Sequence, residues 1–185
     1  MEQELLSACF EGELEEVQAL LNKSDINVNV TDSANDNETP LMYACVEGKA
    51  DIVELLLNDH RTDVNMRDDD GETAFYLVCQ SGKTDLVKLF LRNEKVDINI
   101  PDNNNETPLM KAASWGYLEI VQLILMSGRE INLNSTEGFG KTAIDLAKDS
   151  LKMEVVDLLE LYKQNPEAAR EKMRGKVESI AIEMV

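Results

Sequence analysis

Apolar residues along this chain fall in paired runs. A short run opens on threonine, as in Thr39-Pro40-Leu41-Met42, and returns as Thr73-Ala74-Phe75-Tyr76, Thr107-Pro108-Leu109-Met110 and Thr142-Ala143-Ile144-Asp145. A longer stripe follows in three of these units: Ile52-Val53-x-Leu55-Leu56-Leu57, Leu86-Val87-x-Leu89-Phe90-Leu91 and Ile120-Val121-x-Leu123-Ile124-Leu125. The spacing predicts two helices per unit. Threonine caps the first, proline fits its first position, and Gly48, Gly82 or Gly116 turns the chain into the second. The threonines recur at intervals of 34, 34 and 35 residues, a period that signals stacked repeats in place of one central core. Neither helix of a pair can bury its apolar face alone, so stability must come from stacking.

The echo extends further. Ala44, Val78, Ala112 and Ala147 sit five positions after each threonine, and Asp63-Val64-Asn65 and Asp97-Ile98-Asn99 close two units. Upstream, Leu5-x-x-Ala8, Gly12, Val17 and Leu20-Leu21 fit the same frame without Thr-Pro. Together these residues resemble the ankyrin repeat, whose signature is Thr-Pro-Leu-His-x-Ala. The resemblance implies an all-α solenoid of helix-turn-helix units with protruding loops, covering residues 1–163. The units run about 1–30, 31–66, 67–100, 101–134 and 135–163. The signature histidine, which ties neighbouring ankyrin units by hydrogen bonds, is replaced by Met42, Tyr76, Met110 and Asp145. On that ground the stack is expected to lean more on apolar packing.

The first unit carries Glu2, Glu4, Glu11, Glu13, Glu15 and Glu16 and reads as a solvated cap; the fifth has Leu151 where glycine is expected. Asn165-Pro166-Glu167 starts a further amphipathic helix over 164–185, with Ala169, Met173, Val177, Ile180, Ala181 and Met184 at helical spacing. It is expected to seal the last repeat. The competing reading is self-assembly through that helix, although Gly175 weakens it by about 1 kcal/mol.

Charge narrows the function. With 36 acidic and 18 basic residues the net charge is −18, which repels nucleic-acid and anionic membrane surfaces. No apolar run approaches the roughly 18–20 residues that span a bilayer. The N-terminal Met1-Glu2-Gln3-Glu4 lacks the basic start of a secretory signal, which points to the cytosol and leaves the nucleus open. Cys9, Cys45 and Cys79 share one repeat position that Ala113 fills in the fourth unit, as a small buried packing site would.

Catalytic patterns are absent. His60 is the single histidine and sits in a polar loop. Gly140-Lys141-Thr142 superficially matches a phosphate-binding loop, but Ser135 stands where its first glycine is required. Asp68-Asp69-Asp70-Gly71-Glu72 suggests calcium, yet the twelfth position of such a loop is Cys79. No enzyme activity, cofactor or metal is expected.

The resemblance implies binding of another protein at the loop tips and the exposed ends of the first helices. By register these places hold Glu47, Ser114 and Trp115, then Asp69, Asp70, Glu72, Asn103, Asn104 and Glu106, then Phe139. Trp115 and Phe139 are expected side by side, with the equivalents of Trp115 being polar (Glu11, Glu47, Ser81). An aromatic pair on a polar, concave face has the composition of a binding hot spot. The expected partner is a basic segment with an apolar residue, bound by a monomer. As an alternative, Asn65 and Asn99 resemble ankyrin asparagines that hydroxylases modify.

Overall fold

The computed structural model describes residues 2–183, with side chains through Arg174, and every regular element among them is an α-helix apart from isolated bridges. Two compact units divide the chain after Pro108. The first holds α1 (Glu2–Glu11), α2 (Leu14–Leu21), α3 (Pro40–Glu47), α4 (Ala50–Asn58), α5 (Ala74–Gln80) and α6 (Thr84–Arg92). The second holds α7 (Pro108–Trp115, from its second residue), α8 (Leu118–Met126), α9 (Ala143–Asp149), α10 (Met153–Gln164) and α11 (Pro166–Glu183).

In the first unit, α1, α3 and α5 lie side by side as one row and α2, α4 and α6 as another, each pair closing on itself. Thr39 and Thr73 accept the backbone N–H of Met42 and Tyr76 and so cap α3 and α5. Between the rows sit Leu5, Leu20, Ile52, Leu56, Phe75 and Phe90, all essentially without solvent contact. Cys9, Cys45 and Cys79 lie in the same layer as free thiols. Burial pushes the Cys9 thiol up to about 12 and raises the other two, which keeps them as inert packing groups.

Polar side chains link successive repeats at points the apolar pattern does not reveal. Asn29 donates to the Arg61 carbonyl (2.8 Å) and accepts from the Asp63 N–H (2.8 Å); Asn65 repeats this with Lys95 and Asp97. Arg61 reaches back to the Leu21 and Lys23 carbonyls at the end of α2, and Asn93 to the Leu57 carbonyl in α4. Each satisfies carbonyls that a helix end leaves without an intrahelical partner. Asp59 holds the Arg61 guanidinium at 2.6 Å, and its own carboxyl is lowered chiefly by that hydrogen bond.

The expectation that the lost histidine leaves mainly apolar packing needs correction at one repeat. Tyr76 is buried on α5, and its hydroxyl donates to Asp102 Oδ2 (2.8 Å) in the next loop. Asp102 Oδ1 in turn accepts the N–H groups of Asn104 and Glu106. A tyrosine is long enough to make a cross-repeat tie of the kind expected from histidine. At the matching positions Met42 and Asp145 act locally: each accepts the N–H of its own capping threonine.

In the second unit, Thr142 and Asp145 form a reciprocal capping box on α9. Helix α11 lies against α8 and α10, with Ala169 and Met173 buried. Arg170 bonds the Leu125 carbonyl of α8 (3.4 Å) and the Tyr162 hydroxyl (2.9 Å). It thus engages the end of α8 as Arg61 engages that of α2. The side chains of Val177, Ile180, Ala181 and Met184 lie outside the described residues.

Where the other inter-helix turns use glycine at positive φ, the fifth uses Leu151 at φ 57°, with its side chain in solvent. The left-handed region costs an L-residue about 1–2 kcal/mol. Leu151→Gly is therefore expected to stabilise the protein by about 0.5–1 kcal/mol after the added chain entropy of glycine, read as a higher urea midpoint at unchanged slope. Tyr76→Phe should destabilise by about 1–3 kcal/mol in the same assay, because it strands the buried Asp102 carboxylate.

Candidate protein-binding surface

The protruding loops are fingers, each closed by one acidic side chain. The backbone N–H of Asp32, Asp68, Asp102 and Glu137 bonds the carbonyl of Glu38, Glu72, Glu106 and Lys141, the residue before each capping threonine. The carboxylates then fold into their own turns. Asp32 accepts the Ala34 N–H, Asp68 that of Glu72, Asp102 those of Asn104 and Glu106, and Glu137 those of Phe139 and Lys141. Part of the acidity of the fingers is thus turn chemistry.

This arrangement disposes of the two motif readings. In the Gly-Phe-Gly-Lys loop, the buried Glu137 carboxylate occupies the backbone N–H groups a phosphate would need, and Lys141 pairs with Asp149 (2.6 Å). In the Asp68–Glu72 loop, Asp68 is turned onto backbone. Among the described residues, no group of three or more His, Cys, Asp or Glu is arranged to hold a metal ion.

Within the first unit the finger tips are joined into a ladder. The Asp69 N–H bonds the Asp36 carbonyl (2.8 Å), and the Asn103 N–H bonds the Asp70 carbonyl (2.9 Å). Asn37 donates to the Asp69 carboxylate and Asn103 to the Asp69 carbonyl. Arg67 spans Gly71, Pro101 and Asn103. Asp69, Asp70, Asn103 and Asn104 are exposed along this edge, with Glu72 and Glu106 half-buried behind them. Asn103 is therefore a structural rung as well as a surface residue. Glu47 is exposed at the far end of α3.

Burial and neighbouring carboxylates together raise two carboxyls of the fingers. Burial first, then Asp68, Asp36 and Asp32, raise the Glu38 carboxyl. Asp68 is raised chiefly by burial, with Asp70 and Asp36 adding to it.

In the second unit, Trp115 ends α7 and is 58% exposed. Ser114 is half-buried beside it, its hydroxyl 3.3 Å from that of Ser150 at the end of α9. Leu151, which follows Ser150 in the chain, is 81% exposed, and Met153 is exposed as well. Phe139 is 92% exposed on its finger, but it lies at the other end of α9 from Ser150. The seven residues of α9 span about 10 Å, and among the described residues no ring contact joins Phe139 to Trp115. The exposed Leu151, which follows Ser150 directly in the chain, and Met153 were not among the expected site residues. Their signal was the Leu-for-Gly departure itself.

Residues 3–68 and 60–136 each match a family model described as Ankyrin repeats (3 copies). The chain belongs to the ankyrin-repeat family. The ankyrin fold is an interaction and scaffold module. No curated protein matches it at a significant level. The matched ankyrin region ends at residue 136, and beyond it the Thr142 capping box, the α9–α10 pair and the Glu137-closed finger carry the repeat pattern on. Among the described residues, no helix is long and apolar enough to cross a membrane.

The Asn65 amide, a candidate for hydroxylation, is engaged at both ends in the inter-repeat clamp, and the Asn65 and Asn99 N–H groups each close an Asx turn, on Asp63 and Asp97.

Raised carboxyls predict a pH effect of definite sign. A raised folded-state pKa means that ionised Glu38 is penalised by folding, so its contribution is most favourable below the ordinary 4.5 and is lost as pH rises through the folded value. Glu38→Gln keeps an acceptor for Asn35 and should raise Tm at pH 7. The gain over wild type should close by about pH 4.5 in a series of thermal melts.

Proposed function

We propose that this ankyrin protein holds a partner protein through a basic segment carrying an apolar residue. Exposure of Trp115 at the end of a first helix carries the reading. Folding gains nothing from a large ring left more than half in water, whereas an interface core gains from its burial. Ser114 precedes it in α7, the exposed Leu151 and Met153 are further apolar surface of the same unit, and Phe139 is an exposed aromatic residue on its finger. In the first unit, Asp69, Asp70, Glu72 and Glu106, with Asn103, Asn104 and Glu47, supply negative potential and hydrogen-bond capacity. These groups favour lysine and arginine and speed encounter more than they add affinity. The three free, buried thiols fit a reducing compartment, in keeping with a cytosolic or nuclear role. We also read the protein as a monomer whose α11 serves the stack, since its buried Ala169 and Met173 face α8 and α10.

Affinity capture from the native cell tests the reading, with Trp115→Ala run beside wild type. The variant should lose the partner while its Tm stays within about 2 °C; a variant that unfolds, or one that retains the partner at full yield, rejects Trp115 as the anchor. Asp69→Asn with Asp70→Asn should slow association several-fold at low salt, and the difference should shrink as salt rises.

A further inference from the structure

Helix α1 and the Asp32–Glu38 finger, both in the first unit, enclose an open recess of about 340 Å³ lined by Gln3, Ser7, Phe10, Asp32, Asn35 and Tyr43. Its aromatic part is a T-shaped pair: Phe10 and Tyr43 have ring centroids 5.9 Å apart and planes at 89°. Phe10 keeps 45% of its surface in solvent.

The other wall is acidic and already ordered. Asp32 Oδ2 accepts the Tyr43 hydroxyl (2.8 Å), and Oδ1 accepts the Ala34 N–H (3.0 Å). Asn35 Nδ2 donates to Glu38 (2.8 Å) and to the Tyr43 hydroxyl (3.0 Å). Among the described residues, no lysine or arginine forms an ion pair with Asp32, Asp36 or Glu38. The recess therefore joins an open aromatic surface to the Asp32 carboxylate, which has no resident cation.

We infer that this recess takes an arginine side chain from the partner protein. The inference rests on the interaction-module reading and adds the chemistry of one contact. A guanidinium is flat, weakly hydrated and always charged, so it can lie against the Phe10–Tyr43 pair while its N–H groups reach Asp32 and Asn35 Oδ1. Its three-carbon stem covers the apolar edge at Leu6 and Phe10. An ammonium offers the charge without the plane, and a neutral urea offers the plane without the charge.

Those two differences define the experiment. Isotope-labelled protein is titrated with N-acetyl-arginine-N-methylamide and with its lysine and citrulline counterparts, followed by NMR. Expected are saturable shifts at the Phe10 ring, the Tyr43 ring and the Asn35 side-chain amide, with citrulline at least tenfold weaker and lysine about threefold weaker. Phe10→Ala should weaken the arginine probe about fivefold. Ser7→Arg, at an exposed helical position, should place a resident guanidinium in the recess and weaken the probe more than tenfold, independently of any folding defect in Phe10→Ala.

Equal binding of arginine and citrulline overturns the inference. So do shifts confined to Asp69, Asp70 and Glu72, which would mark general charge attraction. Trp115→Ala should leave the arginine titration unchanged. If the probe fails while Trp115→Ala still loses its partner, the recess inference falls alone; if the probe binds while Trp115→Ala keeps its partner, the anchor reading falls alone.

Discussion

Helices of seven to twelve residues, the lengths of α1 to α10, are too short to persist alone in water. Every other feature of this chain answers that constraint. Within each unit, a helix gains from its neighbours the apolar contact it cannot make with itself. It also gains partners for the carbonyls its last turn leaves open. Arg61 serves α2, Asn93 serves α4, and Arg170 of the last helix serves α8. The problem recurs at these three helix ends and is met by a different polar side chain, arginine or asparagine, as the local sequence provides.

The periodic part of this solution was legible in the sequence. Threonine caps, buried thiols at one position and the paired apolar runs all follow from spacing, because each depends on neighbours a fixed number of residues away. The ties between repeats were not legible, since their partners lie about a full period apart and vary in kind. Tyr76 is the clearest case. By motif it was a missing histidine; in the fold its ring is buried and its hydroxyl meets Asp102. The first finger was hidden for a different reason. Asp32 lies seven residues before its threonine where Asp68 and Asp102 lie five before theirs, so a fixed register points at Ala34 and passes over the acid that closes the turn.

The candidate site divides along the same line. Exposed positions such as Trp115, Asp69 and Asp70 were reachable by counting, because exposure follows repeat register. The neighbours they act with were not. Ser114 meets Ser150 at the end of α9, just before the exposed Leu151, while Phe139 precedes the start of that helix. Phe10 and Tyr43 come together only because α1 and α3 share a row.

The fingers hold two populations of carboxylate that composition counts as one. Asp68, Asp102 and Glu137 have oxygens committed to their own turns, whereas the carboxylates of Asp69 and Asp70 are exposed at the tips, Asp69 with a donor from the neighbouring finger. Anyone diversifying this scaffold to select new binders should therefore randomise the tip residues and freeze the turn-closing acids. A library that varied both would lose most of its members to misshapen fingers before selection for binding began.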